Sequence, residues 1–333
     1  MKVCYIYRKP QADYFSIEKI FRQISSFLEE RIAIIREYAP YARLTPQNIA
    51  KNFKVVRKVI ADVYHVTGDV HYLVLGLPGK KTILTIHDCV FLYNTSGIKR
   101  RLLTLFFLKL PVRHCHTITT ISEKSRDEII KHSGCSPDKV VVVPNPVGEM
   151  FYYSERDFNT SRPVLLFIGS TPNKNLERVI CALEGISCQL VIVGKINELH
   201  RQLLEKAGIA YRQLSGLTEQ ALADVYADSD IVLFPSTYEG FGLPVIEGQK
   251  SGRPVITSNI SPMKEVAGEG ACFVDPFNVV SIKEGIKQVI GDKTYRETIV
   301  RKGLDNVQQY EASVIAERYL HVYGQITSYQ SFI

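Results

Sequence analysis

No run of about 18 uncharged apolar residues occurs in this 333-residue chain, so a membrane-spanning helix is excluded. The opening MKVCYIYRKPQ lacks the small-residue cleavage site of a secretory leader and reads as a first strand. No Cys-x-x-Cys pair exists, and the seven cysteines are scattered and odd in number; Cys4, Cys89 and Cys272 sit inside apolar runs. The expectation is reduced, packed thiols in a cytoplasmic protein. No Gly-x-Gly-x-x-Gly opens a helix after the first strand, which argues against a nicotinamide dehydrogenase. GLPGKKT (76–82) lacks the spacing of a phosphate loop and leads into a strand rather than a helix. Neither a repeat of 20–50 residues nor a low-complexity tract is present.

What is there is ordinary in bulk and uneven in charge. Hydrophobic residues make up 45% and charged residues 23%, and the length suits about two domains. Residues 1–150 carry 23 Lys and Arg against 13 Asp and Glu, while the remainder carries 18 against 21. A basic half beside a mildly acidic one points to an anionic partner for the first half, or to a solvated basic face. An anionic membrane surface is the candidate partner. Nucleic acid is not, because no interleaved aromatic platform or recognised binding motif accompanies the charge. The stretch KRRLLTLFFLKLPVRH (99–114) is apolar with basic ends and too short to span. It reads either as a helix packed on a sheet or as one lying on an anionic surface.

Short apolar runs alternate with helical patterns. Strands are expected at 3–7, 63–66, 81–88, 117–122 and 139–144, then at 164–169, 189–194, 230–236, 254–259 and 272–275. Runs apolar on both faces suit parallel sheets covered by helices. Helices are expected at 16–31, 122–134, 175–185, 218–229 and 281–292, with Ser16, Ser122, Thr218 and Ser281 at their N-caps. This is βαβ architecture occurring twice, with a polar, proline-bearing linker at about 147–162. The domains are expected at 1–147 and 163–311, with a last helix at about 312–333 packing back on the first. In doubly wound sheets ligands sit beyond the carboxyl ends of the strands, so the loops after strands are the place to look for chemistry.

One such loop is FPSTYEGFGLPVIEGQKSGRPVI (234–256). Glu239 and Glu247 flank a glycine turn, and Pro244 sits near the first helical position, where its missing N–H costs nothing. Gly240 and Gly242 let a ligand approach backbone N–H groups at a helix start, which favours anions. A carboxylate is a good acceptor for a vicinal diol. A ligand with a sugar at each end of a diphosphate would satisfy the whole set. By composition alone one glutamate could instead be a cap and the other a solvated helix residue.

The segment 234–276 resembles the E-x7-E signature and downstream segment of the retaining glycosyltransferase family 4, which has the two-domain GT-B fold. The resemblance extends to TIHD (85–88), TITTISEKSRDEI (117–129), VVVPNPV (141–147) and LLFIGSTPNKNLERVI (165–180), in that order. It implies an α/β protein of two doubly wound Rossmann-like domains facing a central cleft. It further implies a metal-independent, retaining glycosyltransferase that needs no cofactor, only a nucleotide-diphosphate sugar as co-substrate. The second domain would bind the nucleotide sugar and the first the acceptor, a glycan or a lipid-linked glycan, as in polysaccharide or O-antigen synthesis. A nucleotide-sugar epimerase of the same fold and a non-catalytic sugar-nucleotide binder are the alternatives.

The resemblance also implies roles. Glu239 contacts donor-sugar hydroxyls, Glu247 holds the ribose, and Lys174 neutralises the diphosphate. Phe241, Gly242 and Leu243 supply backbone near the sugar and diphosphate, and Gly194 and Lys195 lie beside the nucleobase. His87 matches a histidine facing the donor sugar, although a core histidine at a strand end is the simpler reading of that residue alone. Two positions depart from the family pattern. Ser170 stands where an arginine is frequent, leaving helix starts to carry more of the phosphate charge. The segment RKPQADYFSIEKIF after the first strand has no glycine; Gly68 is expected to supply a close backbone approach instead, and Arg8 or Lys9 to meet an acceptor phosphate. Asp228-Ser229-Asp230 mimics a metal-binding Asp-x-Asp but precedes a strand, and reads as helix-end polarity. The location expected from all of this is cytoplasmic, peripheral on the inner face of the membrane.

Overall fold

The computed structural model describes residues 1–10, 16–93 and 95–327. The chain forms two compact units, Met1–Pro146 with Ala312–Ile333, and Val147–Glu311. Residues 11–15, 94 and 328–333, including the end of the expected last helix and part of the glycine-free segment after the first strand, lie outside the described residues.

The first unit holds a six-stranded sheet. Its strands are β1 (Lys2–Tyr7), β2 (Ala33–Tyr38), β3 (Val63–Val66), β4 (Thr82–Ile86), β5 (Thr117–Thr120) and β6 (Val140–Val142). They run in the order β2-β1-β3-β4-β5-β6, with every neighbouring pair parallel. The second unit repeats the plan. Strands β7 (Val164–Ile168), β8 (Gln189–Val193), β9 (Ala210–Leu214), β10 (Ile231–Phe234), β11 (Val255–Ser258) and β12 (Cys272–Val274) form a parallel sheet in the order β12-β11-β10-β7-β8-β9. Strands β3, β4, β5, β10 and β11 are buried at every residue, which is why they read as unbroken apolar or threonine-rich runs.

Two strands escape the apolar pattern. AIIREY (β2) and AYRQL (β9) carry charged or polar residues on exposed positions, and each is a sheet edge. An edge strand is solvated along one side and tolerates, even favours, charge there. The stretch 99–114 also departs from a single helix. It continues the α-helix Gly97–Leu103 through a π-helical turn, Thr104–Lys109, into Leu110–His114. Leu108, Pro111 and Val112 pack inward, whereas Ile98, Leu102, Leu105 and Phe106 are exposed.

The helix Ala312–Thr327 belongs to the first unit. Ile315, Tyr319 and Tyr323 join Val3, Tyr5, Phe21 and Ile24 in one cluster. A buried polar chain runs beneath it: His65 Nδ1 lies 2.8 Å from the Tyr323 hydroxyl, His65 Nε2 lies 2.7 Å from Thr85 Oγ1, and Tyr323 donates to the Tyr5 hydroxyl at 3.1 Å. In a low-dielectric interior such groups are tolerated because each has a partner. The segment 147–162 has no helix or strand and is bound to the second unit: Arg156 Nε donates to Asp230 Oδ1 at 3.0 Å, and the buried ring of Phe151 meets Tyr226 edge-on at 5.1 Å. Asp230 Oδ2 also accepts from the Val164 N–H at 2.7 Å, so the Asp228-Ser229-Asp230 triplet serves the fold. All seven cysteines are free.

Candidate active site

Strands β7 and β10 are parallel neighbours, so their carboxyl ends lie side by side. Each is followed by a loop and then a helix, Leu176–Leu183 after β7 and Leu243–Lys250 after β10. Neither helix has a side-chain hydrogen bond at its N-cap. The N-caps are Asn175 (φ 73°) and Gly242 (φ 114°), both in left-handed backbone. Asparagine and glycine are the residues that accept this conformation most readily. Two helix starts therefore sit at one edge of the sheet; at the second, Pro244 has no N–H and the Val245 N–H bonds the Gly242 carbonyl at 3.0 Å, so it is the positive ends of the two helix dipoles that suit an anion there.

Lys174 and Glu239 meet there. Lys174 Nζ donates to Glu239 Oε1 at 2.7 Å, with side chains only 20% and 13% exposed. The ammonium also stands 4.7 Å above the Phe234 ring centroid, a cation–π contact that fixes its height above β10. Gly169, at the end of β7 with φ 96°, makes room for the lysine stem; a Cβ there would come 2.9 Å from Lys174 Cγ and Cε. Asn173 Nδ2 donates to the Tyr238 carbonyl at 2.9 Å, tying the two loops together. Asn175 Nδ2 donates to the carbonyls of Pro235, at 3.0 Å, and Pro276, at 2.6 Å, and so joins the loops after β7, β10 and β12.

Glu247 lies one turn into its helix and is held separately. Tyr226 donates its hydroxyl to Glu247 Oε2 at 2.6 Å. Burial and the adjacent carboxylate raise the Tyr226 pKa well above that of an ordinary phenol, so it remains a donor. The Phe241 side chain packs in the core, edge-on to Tyr310 at 5.8 Å, which leaves its backbone as the part a ligand can use. Gly194, at the end of β8 with φ 150°, backs onto Ser170: a Cβ there would lie 3.2 Å from Ser170 Oγ. Lys195 beside it is exposed.

Thus the structure joins Lys174 with Glu239, and Ser170 with Gly194, and gives Glu247 its own support. Asn173, Asn175 and Tyr226 are added to the site by the structure. The asparagines flank Lys174, and Asn-x-Asn in a loop is a legible signal for left-handed backbone and local amide bonds. Tyr226 is 21 residues from its partner, with no local signal at all.

His87 belongs to the first unit, just past β4. Its Nε2 lies 2.9 Å from the Thr67 carbonyl, and its ring fills the space a Cβ on Gly68 would need, at 2.8 Å. The close approach that Gly68 permits is therefore to His87, which corrects the expectation of a ligand there. Arg8 is likewise committed: its Nε donates to Glu18 Oε1 at 3.0 Å and its Nη1 pairs with Asp69. It is thus a paired cation, as Lys174 is, and Lys9 beside it is exposed.

Comparisons with known proteins agree with this architecture. The family described as "Glycosyltransferase Family 4" matches residues 17–148, and "Glycosyl transferases group 1" matches residues 153–305. The O-antigen chain mannosyltransferase B of Escherichia coli is 28% identical over 214 residues, 58% of this chain and 56% of that protein. The O-antigen chain mannosyltransferase RfbU of Salmonella typhimurium is 25% identical over 261 residues, 70% of this chain and 69% of that protein. Among solved structures, Anabaena HepE in complex with UDP and glucose superposes with a TM-score of 0.75 at 15% identity, over 98% of this chain and 100% of that one. With both halves matched, and two six-stranded parallel sheets behind them, the chain belongs to the family 4 glycosyltransferases of GT-B fold.

Proposed function

We propose that the second unit binds a nucleotide-diphosphate hexose and that the protein transfers the hexose, with retention and without a metal, to a glycan or lipid-linked glycan. The observation carrying this reading is the Lys174–Glu239 pair at 2.7 Å beside the helix start at Gly242. A cation, a diol acceptor and the positive ends of two helices together match a sugar diphosphate. The names of the two O-antigen relatives make mannose the first sugar to test.

In the proposed step the bond between the anomeric carbon and the diphosphate oxygen breaks. The acceptor oxygen bonds that carbon on the same face, and its proton passes to the departing diphosphate. Lys174 and the two helix starts stabilise the charge that develops on the leaving group, and Glu239 orients the sugar hydroxyls. With Ser170 in place of a cation, the paired helix starts supply the balance. Glu247, steadied by Tyr226, accepts from the ribose hydroxyls.

We also assign peripheral membrane contact to the first unit. Ile98 (75% exposed), Leu102, Leu105 and Phe106 project beside Lys99, Arg100 and Arg101. No helix among the described residues is long and apolar enough to cross a membrane. Apolar side chains with adjacent cations suit the surface of an anionic bilayer.

The test is product formation from UDP- and GDP-hexoses with a glycan acceptor, in EDTA. Transfer in chelator with retained anomeric configuration is expected. Abolition by EDTA, inverted product, or a C2-epimerised nucleotide sugar formed without acceptor would each overturn the reading.

A further inference from the structure

At the amino ends of β10 and β11 the second unit holds a cavity of about 700 Å³. Asp230, which precedes β10, and Arg253 and Pro254, which precede β11, line it together with the helix Lys293–Val307 and the segment from Tyr153. Lys174 and Glu239 stand past the carboxyl ends of the same sheet. The four residues of β10, about 13 Å of strand, therefore separate the two places.

The cavity gathers five cations: Arg156, Arg253, Lys293, Arg296 and Arg301. Two of them are buried, Arg253 at 4% and Arg296 at 7% exposure. A buried guanidinium is unfavourable unless a negative group meets it. Among the described residues neither pairs with a carboxylate; both donate chiefly to main-chain carbonyls. Arg253 Nε reaches the Ser251 carbonyl at 3.0 Å, Nη1 the Ser229 carbonyl at 3.3 Å and Nη2 the Ser154 hydroxyl at 2.8 Å. Arg296 Nη1 reaches the carbonyls of Val289, at 2.7 Å, and Ile290, at 3.1 Å, and its guanidinium lies 3.8 Å over the Phe158 ring. Such partners satisfy N–H groups without cancelling the charge.

The acids nearby are already engaged or exposed. Asp230 accepts from Arg156 Nε at 3.0 Å and from the N–H groups of Asn159 and Val164, at 3.3 and 2.7 Å. Glu297 lies 3.7 Å from Lys293, and Glu155 and Asp157 are exposed. Burial first, and then the nearby Arg156 charge, lower the Arg253 pKa, as expected of a cation short of countercharge. Arg156 uses Nε alone, so both its Nη groups are open. Arg301 is exposed and makes no hydrogen bond or ion pair among the described residues.

We propose that this cavity is a second anion site, separate from the donor pocket, and that it takes a small oligophosphate. Arg156 and Arg301 offer the open N–H groups that grip it, and the buried Arg253 and Arg296 supply further positive charge. Guanidinium forks match phosphate oxygens in pairs. A di- or triphosphate carries enough charge to answer several cations at once, and the cavity is the size of a small-ligand site. A neutral ligand would leave that charge uncancelled. The site stands independently of the transfer reading.

The experiment is calorimetric titration of the full chain with inorganic triphosphate in EDTA. The wild type is expected to bind two equivalents, one in the donor pocket and one in this cavity. Lys174→Ala is expected to weaken the first and keep the second. Arg156→Lys combined with Arg301→Gln retains a cation beside Asp230 but removes both forks. It is expected to weaken the second equivalent about a hundred-fold, the size of two lost hydrogen bonds to a charged group, with the first unchanged. Thermal shift by a nucleotide hexose confirms that the double variant is folded with its donor pocket intact. ATP titrated into Lys174→Ala separates two sources of the same chemistry. Tighter binding than triphosphate assigns a nucleotide to the cavity, and equal or weaker binding a free oligophosphate. The proposal is overturned if Lys174→Ala abolishes all triphosphate binding, if the double variant binds as the wild type does, or if sulfate at equal concentration displaces the second equivalent. A single equivalent, kept by Lys174→Ala and weakened in the double variant, would leave this site standing and count against the donor pocket.

Discussion

Tyr226 reaches Glu247 across 21 residues of sequence and donates to its carboxylate at 2.6 Å, so the orientation of that acid is set from a different helix. The pair predicts a graded series. Glu247→Ala is expected to raise the donor KM by about a hundred-fold, the upper end for a lost hydrogen bond to a charged group, with kcat little changed. Tyr226→Phe, which leaves the acid in place without its support, is expected to raise the donor KM by about ten-fold. Initial rates against donor concentration check both; a kcat loss with unaltered KM would contradict the assignment.

Lys174→Ala is expected to act on turnover. A cation that stabilises a leaving diphosphate contributes most in the transition state, and loss of such a group lowers kcat by about 10²- to 10³-fold. Single-turnover rates at saturating donor separate this from weaker binding.

Gly169→Ala should resemble it. The new methyl would stand 2.9 Å from the lysine stem, at φ 96°, so the side chain must move off its position above Phe234. The expected result is a fall in kcat of more than ten-fold, with a folded second unit by circular dichroism; wild-type kcat would show that the lysine's placement is unimportant.

His65 predicts the pH dependence of stability. Burial pushes its pKa down to about 3 in the folded chain, against 6.5 for an ordinary histidine. The unfolded chain takes up the proton first, so the stabilisation is complete above pH 6.5 and declines as the pH falls from there towards 3. The slope is about 1.4 kcal/mol per pH unit, or about 2 kcal/mol lost between pH 6.5 and 5. Denaturant midpoints at pH 7 and 5 measure it, and a flat profile would contradict the buried, neutral state.

The surface of the helix Gly97–Leu103 and the turn that follows predicts vesicle binding that is stronger on anionic lipid and weakens with salt. Replacing Ile98, Leu102 and Phe106 with serine is expected to abolish it while leaving transfer to a soluble acceptor unchanged. Co-sedimentation with phosphatidylglycerol and phosphatidylcholine vesicles reads the difference.

Much of this was legible from the residues. Interior strands such as TILTI and IVLF announce themselves because both faces are buried, and the glycine-bounded glutamates with Lys174 stand in a recognisable order. The edges β2 and β9 were not, since a solvated edge looks like a loop in composition. Arg8 was read as open because its partners, Glu18 and Asp69, are set by packing at 10 and 61 residues' remove. That His71 and His87 each face a backbone carbonyl, of Phe107 and Thr67, is a fact of geometry that composition does not encode.

The helix Ala312–Thr327 completes the core of a unit that the chain left at Pro146, since Val147–Glu311 intervenes. On the ribosome, the sheet bearing His65 and Tyr5 must wait, its Tyr323 contacts unmade, until Ala312–Thr327 has been made. The intervening stretch, contiguous in sequence, is able to fold while synthesis continues. The second unit is therefore expected to mature first, and the first unit to close last.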